Sequence, residues 1–236
     1  LKSEHETRLR FEDYLETAMV EGEPAVSGSG AADESMKGTK GLFFEVTNRG
    51  NTSTGAITDR SDMEAVAKVL DKEGAIQENV LFVNRQTSFD IDGFLANLTA
   101  GDATQHASSY GIFDNDMDMA LNLGFSGFRL GYDFYKSDWK YLNDATLRGA
   151  TNNAIDGILV PAGTTTVYDQ VLGENAKRPF LHVRYRQSAM EDRKYKSWVV
   201  GSAGGAMTTG KDTMEVHFLS ERALCVMGAN NFILFK

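Results

Sequence analysis

Residues 127–135 read GFRLGYDFY, and five more runs of the same kind follow: FLHVRYR at 180–186, KSWVV at 196–200, MEVHFLS at 214–220, ALCVMG at 223–228 and NFILFK at 231–236. Apolar residues alternate with polar ones in these runs or form short apolar stretches, with glycine-rich turns between them, as half-buried strands require. No His, Cys, Ser or acidic residues converge in them at a spacing that catalysis or metal binding needs. The C-terminal half is therefore expected to be a β-rich scaffold whose product is a surface. No catalytic, cofactor-binding or metal-binding residue is assigned, and no cofactor is expected.

Upstream of the strands the pattern changes period. Phe11, Tyr14, Leu15, Ala18 and Met19 recur at helical spacing, and Ser3 with Glu6 has the form of a capping box, so residues 1–24 are expected to hold an opening helix. Glu21–Gly41, EGEPAVSGSGAADESMKGTKG, has the small, polar, glycine-rich composition of a connection, assigned to 25–41. Residues 42–113 have βα character. Ser61 and Glu64 form a second capping box before Met63, Val66, Ala67 and Leu70, and Gly74 stops that helix. Leu81–Asn84 is a short apolar strand. A further helix carries Phe94, Leu95 and Leu98, with Ser88 as its expected cap. Residues 114–236 complete the chain as the β-rich body, and the fold class expected is α+β.

The chain has 236 residues with 42% hydrophobic and 24% charged, enough to bury a sizeable core. No apolar run reaches the roughly 18 residues that span a bilayer, so no membrane partner is expected. Net charge of −9 argues against a nucleic-acid grip over the whole body, because such affinity depends on many cations replacing counterions. The basic cluster Arg184, Arg186, Arg193, Lys194 and Lys196 is interrupted by Glu191 and Asp192 and reads as a solvated face. The single cysteine, Cys225, sits in an apolar run where a thiol packs like a small hydrophobe, and no intrachain disulfide can form.

Four short motifs fail on their contexts. GAMTTGK at 205–211 has phosphate-loop spacing, but Asp212 replaces the hydroxyl that holds magnesium and a strand follows where a helix is needed. Lys211 is expected to make no buried contact. Asp114, Asp116 and Asp118 match the first ligands of a calcium loop, yet Met119 replaces the turn glycine and Phe125 the bidentate glutamate. His5, His106, His182 and His217 are far apart in sequence, although His182 and His217 could meet across a strand ladder. Asn51 and Asn97 open glycosylation sequons with no secretory signal behind them.

The order of the parts resembles a family. The opening helix, the glycine-rich connection, the insertion entered by KGTKGLFFEVTN, then LGFSGFRLGYDFY, LNDATLRGA, GILVPAG, RPFLHVRYR, KYKSWVVGSAGG and TMEVHFLSERALCVMGANNFILFK are similar to the Hong Kong 97 type of major capsid protein of tailed bacteriophages, including its crAss-like branch from gut Bacteroidetes phages. The resemblance implies a spine helix at Leu1–Val20, an inserted axial domain at 42–113 and a peripheral sheet from Phe128 onward. It also implies a virion protein made in the bacterial cytoplasm. Its partners would be other copies of itself in pentamers and hexamers, with portal, scaffold or decoration proteins, and packaged DNA only indirectly. On that resemblance this chain is expected to lack the family's N-terminal arm and extended loop.

Two readings stay open on the residues themselves: a shell subunit, and a β-rich binding module for a carbohydrate or protein with Tyr132, Tyr135, Trp139 and Tyr141 as its platform. On the first, the helix is expected to lay Phe11, Tyr14, Leu15 and Met19 across a sheet containing both Phe128–Phe134 and Met214–Phe218.

Overall fold

The computed structural model describes residues 2–24, 38–53, 55, 57–99, 127–144, 155–169, 173–201 and 213–236. The acidic run 114–118, His106, Lys211 and most of the glycine-rich connection lie outside them. The chain is a mixed α+β protein. It divides into two compact units that interleave in sequence: residues 1–41 with 182–225, and residues 42–181 with 226–236. The expected boundary at 113/114 falls outside the described residues.

The second unit is built on six strands: β1 (Asn51–Ser53), β2 (Glu78–Val83), β3 (Gly127–Leu130), β4 (Tyr132–Asp138), β5 (Gly157–Pro161) and β12 (Ile233–Phe235), in the order β1-β12-β5-β2-β4-β3. β2 runs parallel to β4 and antiparallel to β5, while β12 returns from the C-terminus to lie between β1 and β5. This is why 42–113 is not a closed domain. Its apolar strand is an inner strand, and both of its neighbours come from downstream.

Alternation along the strands sorts the two faces. Leu81, Val83, Phe134, Phe128, Leu159, Ile233 and Phe235 point one way into a buried cluster. The helices α3 (Arg60–Glu73) and α4 (Arg85–Thr99) close it with Met63, Val66, Leu70, Ile91 and Leu95. On the other face Phe82 lies 5.9 Å from Trp139, which in turn meets Phe43 of α2 (Leu42–Arg49) at 6.1 Å. β5 is buried along its whole length, which explains the unbroken apolar run ILV within it. A separate hairpin, β6 (Thr164–Asp169) with β7 (Glu174–Pro179), completes the unit.

The helix caps differ from expectation. α3 starts one box earlier: Asp59 accepts from the backbone N–H of Asp62 at 3.1 Å and Asp62 accepts back from the N–H of Asp59 at 3.2 Å. Ser61 is inside the first turn and donates to Asp59 at 2.7 Å, while Glu64 pairs with Arg60 at 2.8 Å. Gly74 ends α3 as expected, in the left-handed conformation at φ 64°. α4 is capped by Asn84, whose side-chain oxygen accepts from the N–H of Thr87 at 2.7 Å; Ser88 is buried one turn inside.

The hydrogen bonds from Ser61 and from the N–H of Asp62 hold the Asp59 carboxyl below its ordinary value. A depressed folded value means that the carboxylate's contribution is complete above the unfolded value, about 3.9, and is lost as pH falls through the lower folded one. Asp59→Asn keeps the capping oxygen and removes the titration. Below about pH 4 the urea midpoint of the wild type is expected to fall more steeply than that of Asp59→Asn, with the two curves parallel at pH 6–8. Parallel curves throughout would refute the assignment.

The first unit consists of α1 (Lys2–Glu21) and two strand pairs, β9 (Lys196–Gly201) with β10 (Met214–Leu219) and β8 (Leu181–Tyr185) with β11 (Arg222–Val226). The Ser3/Glu6 box is not formed. Ser3 is already helical, its carbonyl accepting from the Thr7 hydroxyl, and Glu6 pairs instead with Arg10.

Candidate functional site

Among the described residues of the first unit, Val20 is the only buried apolar side chain, and every other one belongs to the six-stranded unit. A 20-residue helix and four strands without a closed core of their own leave apolar surface only half covered, which is the property that makes this unit the candidate site.

Its two strand pairs form one bent ribbon. β9 and β10 pair antiparallel from Met214 opposite Gly201 to Leu219 opposite Lys196. The Arg186 N–H then bonds the Glu221 carbonyl and the Glu221 N–H bonds the Arg193 carbonyl, so residues 214–226 pair first with β9 and then with β8, and 187–192 loop out between. Gly201 closes the β9 end at φ 115°. A Cβ there would fall 1.7 Å from the Thr213 carbonyl oxygen, so no other residue fits without moving the strand.

Register assigns the ribbon's faces. Phe218 stands opposite Ser197, and it stacks on Phe11 of α1 at 5.9 Å; Tyr195 meets Phe11 edge-on at 6.1 Å. α1 therefore covers the face that carries Phe218. Its Phe11, Leu15 and Met19 are half-buried, whereas Tyr14 is 72% exposed and belongs to the outer side. The expectation is met for the Met214–Phe218 strand only. Phe128–Phe134 lies in the other unit's sheet, where Phe94 of α4 packs edge-on to Phe128.

The opposite face of β9 and β10 carries Lys196, Trp198 and Val200 beside Leu219, His217 and Glu215. Trp198 and His217 stack at 5.1 Å with 15° between the rings, and Lys196 Nζ lies 5.3 Å over the Trp198 ring. Further along, Arg222 and Lys194 both lie over Tyr185, at 5.5 and 5.3 Å. The basic cluster is thus partly ordered by aromatic rings and partly by acids: Lys196 bonds Glu191 at 2.7 Å, which holds the Glu191 carboxyl below its ordinary value, and Arg186 and Arg193 approach Glu221 at 3.3 and 3.8 Å. Sequence reading treated this cluster as a plain solvated face. Lys196, two residues before Trp198 and so on the same strand face, was the signal that could have marked it.

The two histidines of the strands do not meet, because His217 stands opposite Trp198 while His182 is on β8, which pairs with β11. His182 accepts from Arg184 Nε at 3.4 Å. Among the described residues no three His, Cys, Asp or Glu side chains come together as a metal group. GAMTTGK itself is outside the described residues, but the element that follows it is the strand β10. The aromatic platform is not open. Tyr141 is buried against Trp139 at 5.3 Å, Trp139 packs on Phe82 and Phe43, and Tyr132 donates to Asp71 at 2.6 Å, which pushes its hydroxyl above the ordinary value; only Tyr135 is exposed.

No protein-family model matches this chain, and no curated protein matches it in sequence. Among the described residues, no helix is long and apolar enough to cross a membrane.

Proposed function

We propose that this chain is a structural subunit of a bacteriophage icosahedral capsid that assembles with copies of itself. The observation carrying the proposal is the contrast between the two interleaved units: one has a closed core, and the other, a long helix on a β-ribbon, leaves its apolar surface half covered. In the coat-protein family that the sequence resembles, a spine helix and a sheet form the peripheral domain and an inserted domain lies on the capsomer axis. On this reading 1–41 with 182–225 is the peripheral part, and 42–181 with 226–236 the axial part. The surface serves neighbours in the shell, each subunit being held by several weak contacts at once. The packing of Trp139 against Tyr141, which is buried, weighs against the alternative of a carbohydrate- or protein-binding module.

Light scattering and negative-stain microscopy across concentration and salt test this. At micromolar concentration in low salt the chain is expected to be monomeric or weakly associated, because subunits with net charge −9 repel. Raising concentration and screening that charge is expected to give rings, hexamers, pentamers or sheets. A tight, salt-insensitive dimer, or a monomer under every condition, would overturn the proposal.

A further inference from the structure

The cations of the ribbon are not all matched by acids. Glu221 is approached by Arg186 and Arg193, while Glu191 bonds Lys196 and lies 3.7 Å from Arg193. Lys194 and Arg222 differ: among the described residues neither forms an ion pair. Asp192 stands two residues before Lys194, but its carboxylate accepts from the Lys194 backbone N–H at 2.8 Å.

Both cations are instead fixed on one ring. Lys194 Nζ lies 5.3 Å and Arg222 Cζ 5.5 Å from the centroid of Tyr185, whose side chain stays 39% exposed. Ser220 ties the two strands together beside them: its hydroxyl donates to the Lys194 carbonyl at 2.7 Å and accepts from Arg222 Nε at 2.8 Å. The guanidinium is thus held by its Nε and its plane, while its Nη groups and the Lys194 ammonium donate to no acceptor among the described residues. Much of the rotamer freedom that a ligand would otherwise have to remove is already lost.

We propose that Lys194, Arg222 and Tyr185 form a binding site for the phosphodiester backbone of a nucleic acid. The Arg222 fork suits two oxygens of one phosphate, and the Lys194 ammonium meets a neighbouring phosphate as a point charge. The exposed part of the Tyr185 ring offers a base an aromatic surface, so a nucleotide chain uses all three groups at once. With a net charge of −9 the chain repels polyanions at long range, and the contact is therefore short-ranged, weak, indifferent to sequence and lost in salt. The inference stands apart from the shell-subunit reading. A chain that binds without assembling, or assembles without binding, tells the two apart.

Fluorescence anisotropy of labelled oligonucleotides with the full chain tests this, single-stranded and duplex forms being titrated separately between about 0.05 and about 0.2 M salt. Lys194→Gln with Arg222→Gln is expected to weaken binding about tenfold at the lower salt, and to flatten the plot of log affinity against log salt by about 1.4 for a single strand or about 1.8 for a duplex. The effect on either form supports the site and identifies that form as its ligand. Arg184→Gln is the control. It removes one charge from the residue before Tyr185, on the opposite side of β8, and is expected to change affinity less than about twofold. Circular dichroism melts show whether each variant folds. Because Arg222 is half-buried, exposed Lys194→Gln alone serves if the double variant melts early, with about a threefold weakening expected. A wild type that retains neither form at the lower salt, affinity unchanged by the double variant, or Arg184→Gln as costly as Lys194→Gln would overturn the proposal. So would labelled poly-glutamate that binds the wild type and is lost in the double variant while oligonucleotide binding persists.

Discussion

Lys136→Met is expected to destabilise the six-stranded unit by about 3–5 kcal/mol. Lys136 is on β4, two residues after Phe134, so alternation turns it to the same face, inward beneath α4. There its ammonium bonds the Asp92 carboxylate and the Ser88 carbonyl, with 6% and 5% of the two charged side chains exposed. Methionine matches the stem in volume, so little packing is lost. The cost comes from the Asp92 carboxylate, which is left buried without its cation. Removing both charges is a different case. Lys136→Met with Asp92→Leu leaves no unpaired charge, and its urea midpoint is expected to return to within about 1 kcal/mol of the wild type or to exceed it. Denaturant unfolding of the two single variants and the double variant gives the coupling directly. A Lys136→Met protein within about 1 kcal/mol of the wild type would show that the pair is not buried as described.

That pair also marks the limit of what the sequence shows. The period-2 runs, the α+β class, the opening helix and the Gly74 stop are local patterns, and each follows from residues within one or two turns of one another. Lys136 stands in phase with Phe134, so an inward charge was legible in GFRLGYDFYKSD. Its partner was not, because Asp92 is 44 residues away on a helix. The neighbours of the strand within 42–113 were hidden for the same reason. β2 finds β4 and β5 far downstream, and β12 comes back from the C-terminus to β1; an alternating run announces a strand but not its neighbour. At α3 the Ser61/Glu64 pattern matched the usual capping-box composition, but Arg60 takes Glu64 on the helix surface and the box that forms is Asp59 with Asp62. The ribbon face was missed because charges were counted along the chain, whereas Trp198 and His217 come together only across the ladder.

Phe134→Ala is expected to cost a further class of stability, about 3–5 kcal/mol, by opening a cavity in the centre of the sheet unit. The ring is fully buried, stacked on Phe128 at 5.3 Å, 6.5 Å from Tyr132, and opposite buried Asn79 on β2. Neighbours on a sheet clamped by two helices have little freedom to collapse into the space. Against a total of roughly 5–15 kcal/mol for a domain, such a loss is a third or more. The consequence extends past the sheet unit, because the two segments of the helix and ribbon unit, 1–41 and 182–225, are joined in sequence only through it. With the sheet unit folded, that connection is fixed. With it unfolded, bringing the segments 1–41 and 182–225 together requires closing a long flexible loop, at roughly 4 kcal/mol. A helix and ribbon with one buried apolar side chain among the described residues have little to offset this. Phe134→Ala is therefore expected to lower the urea midpoint and, at concentrations of urea that unfold the sheet unit, to abolish self-association together with the helical signal of α1. A variant within about 1 kcal/mol of the wild type, or an α1 signal that survives loss of the sheet unit, would show that the helix and ribbon stand on their own.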